Sequence, residues 1–306
     1  MTRTVPESAA PQAPRAGTFP EHVRRFLRLV TIEHSVFALP FAYLAALAAG
    51  ADWGDVALIT VAMVGARTFA MAANRIIDRH IDARNPRTAG RELVTGAVSV
   101  RTAWTGALVA LVVFLAAAAA LNPLCLMLAP LAVAPLIVYP YGKRFTDWPH
   151  AILGLAQVAG PVGAWLGVTG TLAGSGPAWV LGAAVGLWIG GFDLIYACQD
   201  AEIDRQIGVR SVPARFGVAF ALHLSTATHV VTFALFVWFG ALVGLGWLWW
   251  IGLALAAGAF VYQHAIVSPG DLSRANRAFF TANGFVGIAL FVFALLDVVL
   301  LGTGAR

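Results

Sequence analysis

Charge is what this sequence has least of: only 11% of its 306 residues are Asp, Glu, Lys or Arg. A soluble domain carries about a quarter, so a water-soluble globular protein is excluded. With 59% hydrophobic residues and a mean hydropathy of +0.79, the chain reads as an integral membrane protein. Cysteine is nearly absent as well. Cys125 and Cys198 cannot build a disulfide framework, and their places near opposite membrane faces exclude a bridge between them. Residues 1–20 lack the central apolar segment of a signal peptide; rich in Pro, Ala and Thr, they read as a disordered tail. Residues 21–306 contain no long polar stretch, so they form one transmembrane domain without a separate soluble unit. Nothing points to nucleic acid or to a protein partner; membrane lipid is the surrounding medium.

What the chain does have is apolar runs of about 20 residues, the length that spans a bilayer. They fall near 26–49, 55–77, 103–121, 124–141, 151–170, 178–198, 217–240, 246–266 and 277–301. The expected fold is therefore an all-α bundle of nine transmembrane helices. Its least defined boundary is Asn122-Pro123. Charge supports the count. Nine spans put the N-terminal tail and the 2–3, 4–5, 6–7 and 8–9 loops on one side. All of the 20 Lys and Arg residues except Arg67 and Arg306 fall there. By the positive-inside rule that side is cytoplasmic, with the C-terminus outside. Trp247, Trp249 and Trp250 are expected in an outer interfacial belt, and Asp297 in the interface beside it.

Where the second span meets the cytoplasmic side stands Asn74-Arg75-Ile76-Ile77-Asp78-Arg79-His80-Ile81-Asp82. On a helix Asn74, Asp78 and Asp82 share one face. Stacked carboxylates repel unless a cation sits between them, and Mg²⁺ accepts one or two carboxylates with phosphate oxygens completing its shell. Alone, the stretch could be a charged helix end paired by arginines. A second copy, Tyr196, Asp200 and Asp204, repeats the spacing at the end of the sixth span. Two such ends facing each other could hold a polyanion through metal ions. Lys143 and Arg144, after Tyr139 at the end of the fourth span, either set topology or grip phosphate; the same choice applies to Arg79, Arg84, Arg87 and Arg91.

Ionisable residues inside the spans are costly and face the bundle interior. Arg67 lies seven residues before Asn74, about two turns deeper on the same face. It could pair structurally with Glu33 or Asp193; the preferred reading places it in an acceptor pocket, pairing a substrate carboxylate. Glu33 and His34 in the first span, and Asp193, seven residues before Asp200, are further candidates. His34 could equally be a satisfied core histidine.

These residues resemble the UbiA superfamily of intramembrane prenyltransferases. Its N-x-x-x-D-x-x-x-D motif is matched by Asn74, Asp78 and Asp82; its D-x-x-x-D motif, often preceded by Tyr, by Tyr196, Asp200 and Asp204. Its Y-x-x-x-K-R-x-T segment is matched by Tyr139, Lys143, Arg144 and Thr146. The resemblance runs from about 25 to 300 and implies a nine-helix fold in the cell membrane with its site open to the cytoplasm. It implies that a polyprenyl diphosphate binds through Mg²⁺, with Mn²⁺ as a substitute, to the two aspartate motifs. The allylic carbon–oxygen bond then ionises and the cation alkylates an aromatic acid. On this reading Asp78, Asp82, Asp200, Asp204 and Lys143 carry catalysis, the aspartates with Asn74 at the metal. Asn74, Tyr196, Arg144, Tyr139, Arg67, Glu33, His34, Asp193 and Arg84 bind substrates.

Departures from the hydroxybenzoate members, such as Arg91-Glu92-Leu93 in place of R-P-L, resemble the menaquinone branch that prenylates 1,4-dihydroxy-6-naphthoate. The alternative acceptor is 4-hydroxybenzoate. An ion-coupled transporter is the non-enzyme alternative, but transport sites lie near the midplane, whereas these acids cluster at one face. The compact D-x-x-D-G-x-x-A-R motif of phosphatidyl-alcohol transferases is absent.

Overall fold

The computed structural model describes residues 19–30 and 39–303. Apart from an isolated bridge between Ser268 and Asp271, the described residues form helices and their connections. The helices are α1 (Phe19–Leu29), α2 (Leu39–Ala48), α3 (Trp53–Asp82), α4 (Val100–Leu121), α5 (Pro123–Phe145), α6 (Pro149–Thr169) and α7 (Gly176–Ala197). A 3₁₀ turn, Cys198–Asp200, leads into α8 (Ala201–Ile207) and α9 (Val212–Phe216). Then come α10 (Val218–Leu242), α11 (Trp247–Ala265), α12 (Ala275–Arg277), a π turn at Ala278–Ala282, and α13 (Asn283–Leu301). Expectations for residues 1–18, and for Glu33 and His34, lie outside the described residues.

Seven segments among the described residues are long and apolar enough to cross a membrane: α3, α4, α5, α6, α7 continued through α8, α10, and α12 continued through α13. The other two expected spans differ. Around 26–49 the described chain gives α1 and the ten-residue α2, too short to cross alone. Around 246–266 it gives α11, where three tryptophans, Tyr262, Gln263 and His264 dilute the apolar run.

Capping explains where the helices begin. Asp52 accepts from the Asp55 amide at 2.9 Å and Asp55 returns the bond at 3.1 Å, a capping box that starts α3. Thirty residues at 1.5 Å each make α3 about 45 Å long, so its last turns, carrying Asn74 to Asp82, emerge from an apolar layer about 30 Å thick. Asn122 divides α4 from α5. It ends the first helix, caps the second through the Cys125 amide at 2.9 Å, and donates to the Leu166 and Gly167 carbonyls of α6.

In the bundle α3 packs on α4, α6 on α7, α7 on α10 and α11 on α13. The core between α2, α6, α7, α10 and α11 is aromatic: Phe41 stacks on Phe236 and tilts against Trp188, all three fully buried. Close approach of α6 and α7 depends on glycine, because a Cβ on Gly186 would sit 2.7 Å from the Gly154 carbonyl oxygen. Gly186→Ala should therefore lower Tm markedly, with a cost of about 1–3 kcal/mol or more. Gly258→Ala, with open space around it, should be neutral or slightly stabilising. Thermal unfolding in detergent compares the two; equal Tm values would remove the contact from the account.

Two expectations about the outer end need correction. Trp249 is fully buried, whereas Trp247 and Trp250 are exposed, so only the latter two suit an interfacial belt. Asp297 is also fully buried: it accepts from the Trp249 amide at 2.8 Å and the Thr303 hydroxyl at 3.0 Å. It satisfies the first turn of α11 from a neighbouring helix, a cap supplied in trans.

Candidate active site

The end of α3 carries the first motif as expected, with Asn74, Asp78 and Asp82 on one continuous helix. Asp78 is 1% exposed and holds two cations from the last turn of α5. Lys143 Nζ lies 2.7 Å from its Oδ2 and an Arg144 nitrogen 3.1 Å from its Oδ1; the Asn74 amide stands at 3.4 Å. Arg144 is fixed further by the Pro140 and Ile77 carbonyls, both at 2.7 Å. Asp82 pairs with Arg91 at 2.6 Å through Oδ1, while its buried Oδ2 has no partner among the described residues.

The second motif departs from one regular helix. The 3₁₀ turn at Cys198–Asp200 intervenes between Tyr196 and Asp204, and Gly208 ends α8 in the left-handed conformation, φ 74°. Asp200 receives both forks of the Arg87 guanidinium and the Asn85 amide at 3.0 Å. Arg87 also donates to the Tyr196 hydroxyl at 2.7 Å and lies over its ring at 4.9 Å. Burial opposes the Arg87 charge, but hydrogen bonds and attraction from Asp200 outweigh it and raise its pKa above the usual arginine range. Asp204 is buried and accepts from Ser211 at 3.1 Å.

Asn85 and Arg87 belong to the loop after the first motif, so their bonds to Asp200 bring the two motifs face to face. Arg87 and Arg91, which the sequence left as possible topology charges, are thus site residues. Arg84 is exposed without a partner among the described residues. Asp78, Asp82 and Asp200 are paired with cations whose side chains remain 22–36% exposed, so the pairs can exchange partners. Among the described residues no three acidic, His or Cys side chains converge on one point. A divalent ion would thus draw one or two carboxylates from a motif and complete its shell with substrate oxygens, which suits Mg²⁺. The unpartnered Oδ2 of Asp82 fits that demand.

Deeper between α3, α4, α5 and α6 lies an apolar cavity of about 160 Å³, lined by Ile59, Met63, Phe114 and Leu128 among others. Arg67 and Gln157 are polar residues in its wall, and Arg67 Nε is buried without a partner among the described residues. The structural pairing considered for Arg67 is not with Asp193, whose partner is His150 at 2.7 Å. Tyr139 is half-buried on α5, within electrostatic reach of Asp78 and Asp193. Sequence reasoning missed His150, Asn85 and Ser211. Only His150 carried a signal, as an ionisable residue entering an apolar span.

Two facing carboxylate clusters at the ends of membrane helices, with an apolar cavity beneath them, define a class: intramembrane enzymes that handle an anionic head on a lipid-soluble tail. Comparison with known proteins makes it specific. The family model described as the UbiA prenyltransferase family matches residues 35–294, and the chain belongs to that family. It is a prenyltransferase, which sets aside the transporter reading. A 4-hydroxybenzoate octaprenyltransferase of Alkalilimnicola ehrlichii is 34% identical over 246 residues, covering 79% of this chain and 83% of that protein. One from Hydrogenovibrio crunogenus is 29% identical over 283 residues, 90% and 98% of the two chains. Among solved structures, the apo UbiA homologue of Aeropyrum pernix K1 is 36% identical with a TM-score of 0.79, over 85% of this chain and 98% of that one. The Archaeoglobus fulgidus homologue bound to GPP and Mg²⁺ is 21% identical with a TM-score of 0.68, over 90% and 99%, a likeness of fold.

Proposed function

We propose that this enzyme transfers a polyprenyl group from polyprenyl diphosphate to an aromatic hydroxy acid in quinone biosynthesis, with 4-hydroxybenzoate as acceptor. The observation that carries the reading is the pairing of Asp78 with Lys143 and Arg144 opposite Asp200 with Arg87. A diphosphate between them meets four carboxylates able to turn to divalent metal and a ring of cations able to turn to phosphate. The names of the relatives favour 4-hydroxybenzoate over the dihydroxynaphthoate that the sequence departures suggested, so hydroxybenzoate takes first place.

In the mechanism the carboxylates of Asp78, Asp82, Asp200 and Asp204, with Asn74, would hold Mg²⁺. The ion supplies Lewis-acid neutralisation of the diphosphate when bound. Lys143, Arg144, Arg87 and Arg91 add fixed positive charge where the leaving group gains negative charge. Tyr196 holds Arg87 in place. The isoprenoid tail lies in the apolar cavity, whose walls keep water from the allylic carbon. Arg67 pairs the acceptor carboxylate there, in a wall where no described residue partners its Nε.

The topology that goes with this reading has nine spans over one domain, 21–306, in the cytoplasmic membrane. The N-terminus and both motifs face the cytoplasm and the C-terminus faces outward; α1 with α2, and α11, complete the count. Tags at the two termini should show opposite protease accessibility in sealed vesicles, and equal accessibility would rule out an odd number of spans.

Product identity tests the function. Membranes containing the protein receive one polyprenyl diphosphate, Mg²⁺ and both acceptors, and the products are identified by mass. Prenylated 4-hydroxybenzoate is the expected product. Prenylated dihydroxynaphthoate alone would overturn the acceptor, and no prenylated product from any aromatic acid would overturn the reading.

A further inference from the structure

One cluster of titratable groups takes no part in the diphosphate chemistry. Asp193 lies seven residues before Asp200 on α7, about 10.5 Å nearer the membrane centre by helical rise. It stands below the second motif much as Arg67 stands below the first. From the first turn of α6, His150 brings Nδ1 to 2.7 Å from Asp193 Oδ2. His150 is buried and its Nε2 has no partner among the described residues.

The protons in this pair can be placed by elimination. With Asp193 as a carboxylate, its oxygen accepts and Nδ1 carries the hydrogen between them. A second hydrogen at Nε2 would be buried with no acceptor among the described residues, which favours the neutral Nδ1–H tautomer. This tautomer directs its N–H at Oδ2 and leaves Oδ1 of Asp193 clear of the imidazole. The start of α6 carries the positive end of that helix's dipole, which favours an anion beside it. The helices approach closely at this level: a Cβ on Gly190 would lie 3.1 Å from the His150 carbonyl. Oδ2 is engaged by His150, whereas Oδ1 makes no hydrogen bond among the described residues and the side chain retains 16% exposure. Among the described residues, the other ionisable groups around it are Tyr139 on α5, with Asp78 and Arg75 of α3 and Arg91 beyond it, and His229 of α10, which packs against Gly191 on another face of α7.

A hydroxy aromatic acid needs what this geometry offers. Its ring attacks an allylic cation far better as a phenolate, and the proton needs an acceptor at the depth of the reacting carbon, below the diphosphate. We propose that Asp193 is a catalytic base of the prenyl transfer, taking the acceptor's hydroxyl proton through Oδ1, and that His150 is the residue that positions it. This rests on the reading of the acceptor given under the proposed function. The hydroxyl O–H bond breaks and its proton goes to Asp193. The allylic C–O bond breaks with its electron pair leaving on the diphosphate, and the ring carbon beside the oxygen forms the new C–C bond. That ring carbon then gives its own proton to the diphosphate, restoring aromaticity, and Asp193 returns the first proton to the phenolate. One proton leaves with the diphosphate and Asp193 is regenerated.

The test uses the full-length enzyme in detergent or vesicles with polyprenyl diphosphate, Mg²⁺ and 4-hydroxybenzoate. Asp193→Asn should lower kcat on the order of 10²-fold near neutral pH, with KM for the diphosphate substrate unchanged. The deficit should shrink as pH rises toward the hydroxyl's own ionisation. It should shrink as well with 3-fluoro-4-hydroxybenzoate, which ionises more readily and leaves one ring position beside the hydroxyl open. His150→Gln, whose amide can still donate to Oδ2, should keep most of the activity that His150→Leu loses. A ratio of wild-type to variant rate constant across pH and for both acceptors would reduce Asp193 to packing and overturn the proposal. If Asp193→Asn fails to fold, the pH dependence of the His150→Leu deficit decides in the same way. Should the wild type prenylate only the dihydroxynaphthoate, the acceptor identity fails; the same comparison with that hydroxylated acid, by pH alone, then decides the role of Asp193.

Discussion

Asp200→Ala should reduce prenyl transfer by on the order of 10³-fold or more, measured as labelled product per inserted protein, while leaving membrane insertion intact. The substitution removes more than a ligand. Asp200 receives both forks of Arg87 and the Asn85 amide, so its carboxylate ties the loop after α3 to the end of α7. Without it Arg87 keeps Tyr196 but loses its anionic partner in a partly buried place, and the two motifs lose the carboxylate bonds that tie them together. Asp200→Asn keeps the shape and an acceptor oxygen for Arg87 but loses the charge. If charge toward metal is what matters, Asn should be nearly as inactive as Ala, and extra Mg²⁺ should restore neither. If the tie is what matters, Asn should recover much of the rate. Full turnover by either variant, or by the wild type in EDTA, would remove metal-assisted diphosphate binding from the account.

The legibility of this site divides by the distance over which the information travels. The first motif is readable because the spacing i, i+4, i+8 fixes one face on a regular helix, and α3 stays regular to Asp82. Tyr196, Asp200 and Asp204 have the same spacing, yet a 3₁₀ turn at Asp200 bends their segment, a local tightening that no periodicity announces. Which arginines serve the site is unreadable from spacing. Arg87 and Arg91 differ from exposed Arg84 only in where the loop carries them, and tertiary path is not a property of spacing. The same limit hides His150, whose partner lies 43 positions away. Composition settles the membrane class at once, but the span count meets two segments, α2 and α11, where length or polar aromatics weaken the signal. Asp297 shows the reverse error: a lone acid at a span end reads as interfacial until a neighbouring helix start is brought against it.

Lys143 should prove the most demanding of the site's cations. Its Nζ sits 2.7 Å from Asp78, and its charge also reaches Asp204, so it acts on both motifs from the end of α5. Removing one partner of a buried ion pair commonly costs about 3–5 kcal/mol. Arg144 and Asn74 remain on Asp78, so the loss of stability in Lys143→Ala should be smaller than that. The effect on rate should be large. A cation that moves from carboxylate to leaving diphosphate stabilises charge developed only in the transition state, and such a donor is worth on the order of 10²–10³-fold in kcat. KM for the aromatic acid should change little if the acceptor pairs, as proposed, with Arg67 in the cavity below. Lys143→Arg separates this from topology. An arginine keeps the positive-inside signal but replaces a compact, mobile ammonium with a planar fork that Asp78 and Arg144 already crowd. The expected order is wild type, then Arg well below it, then Ala, with the apparent requirement for Mg²⁺ rising in the same order. Equal, near-normal rates for Arg and Ala would leave Lys143 as a topology charge and place leaving-group stabilisation on Arg144, Arg87 and Arg91.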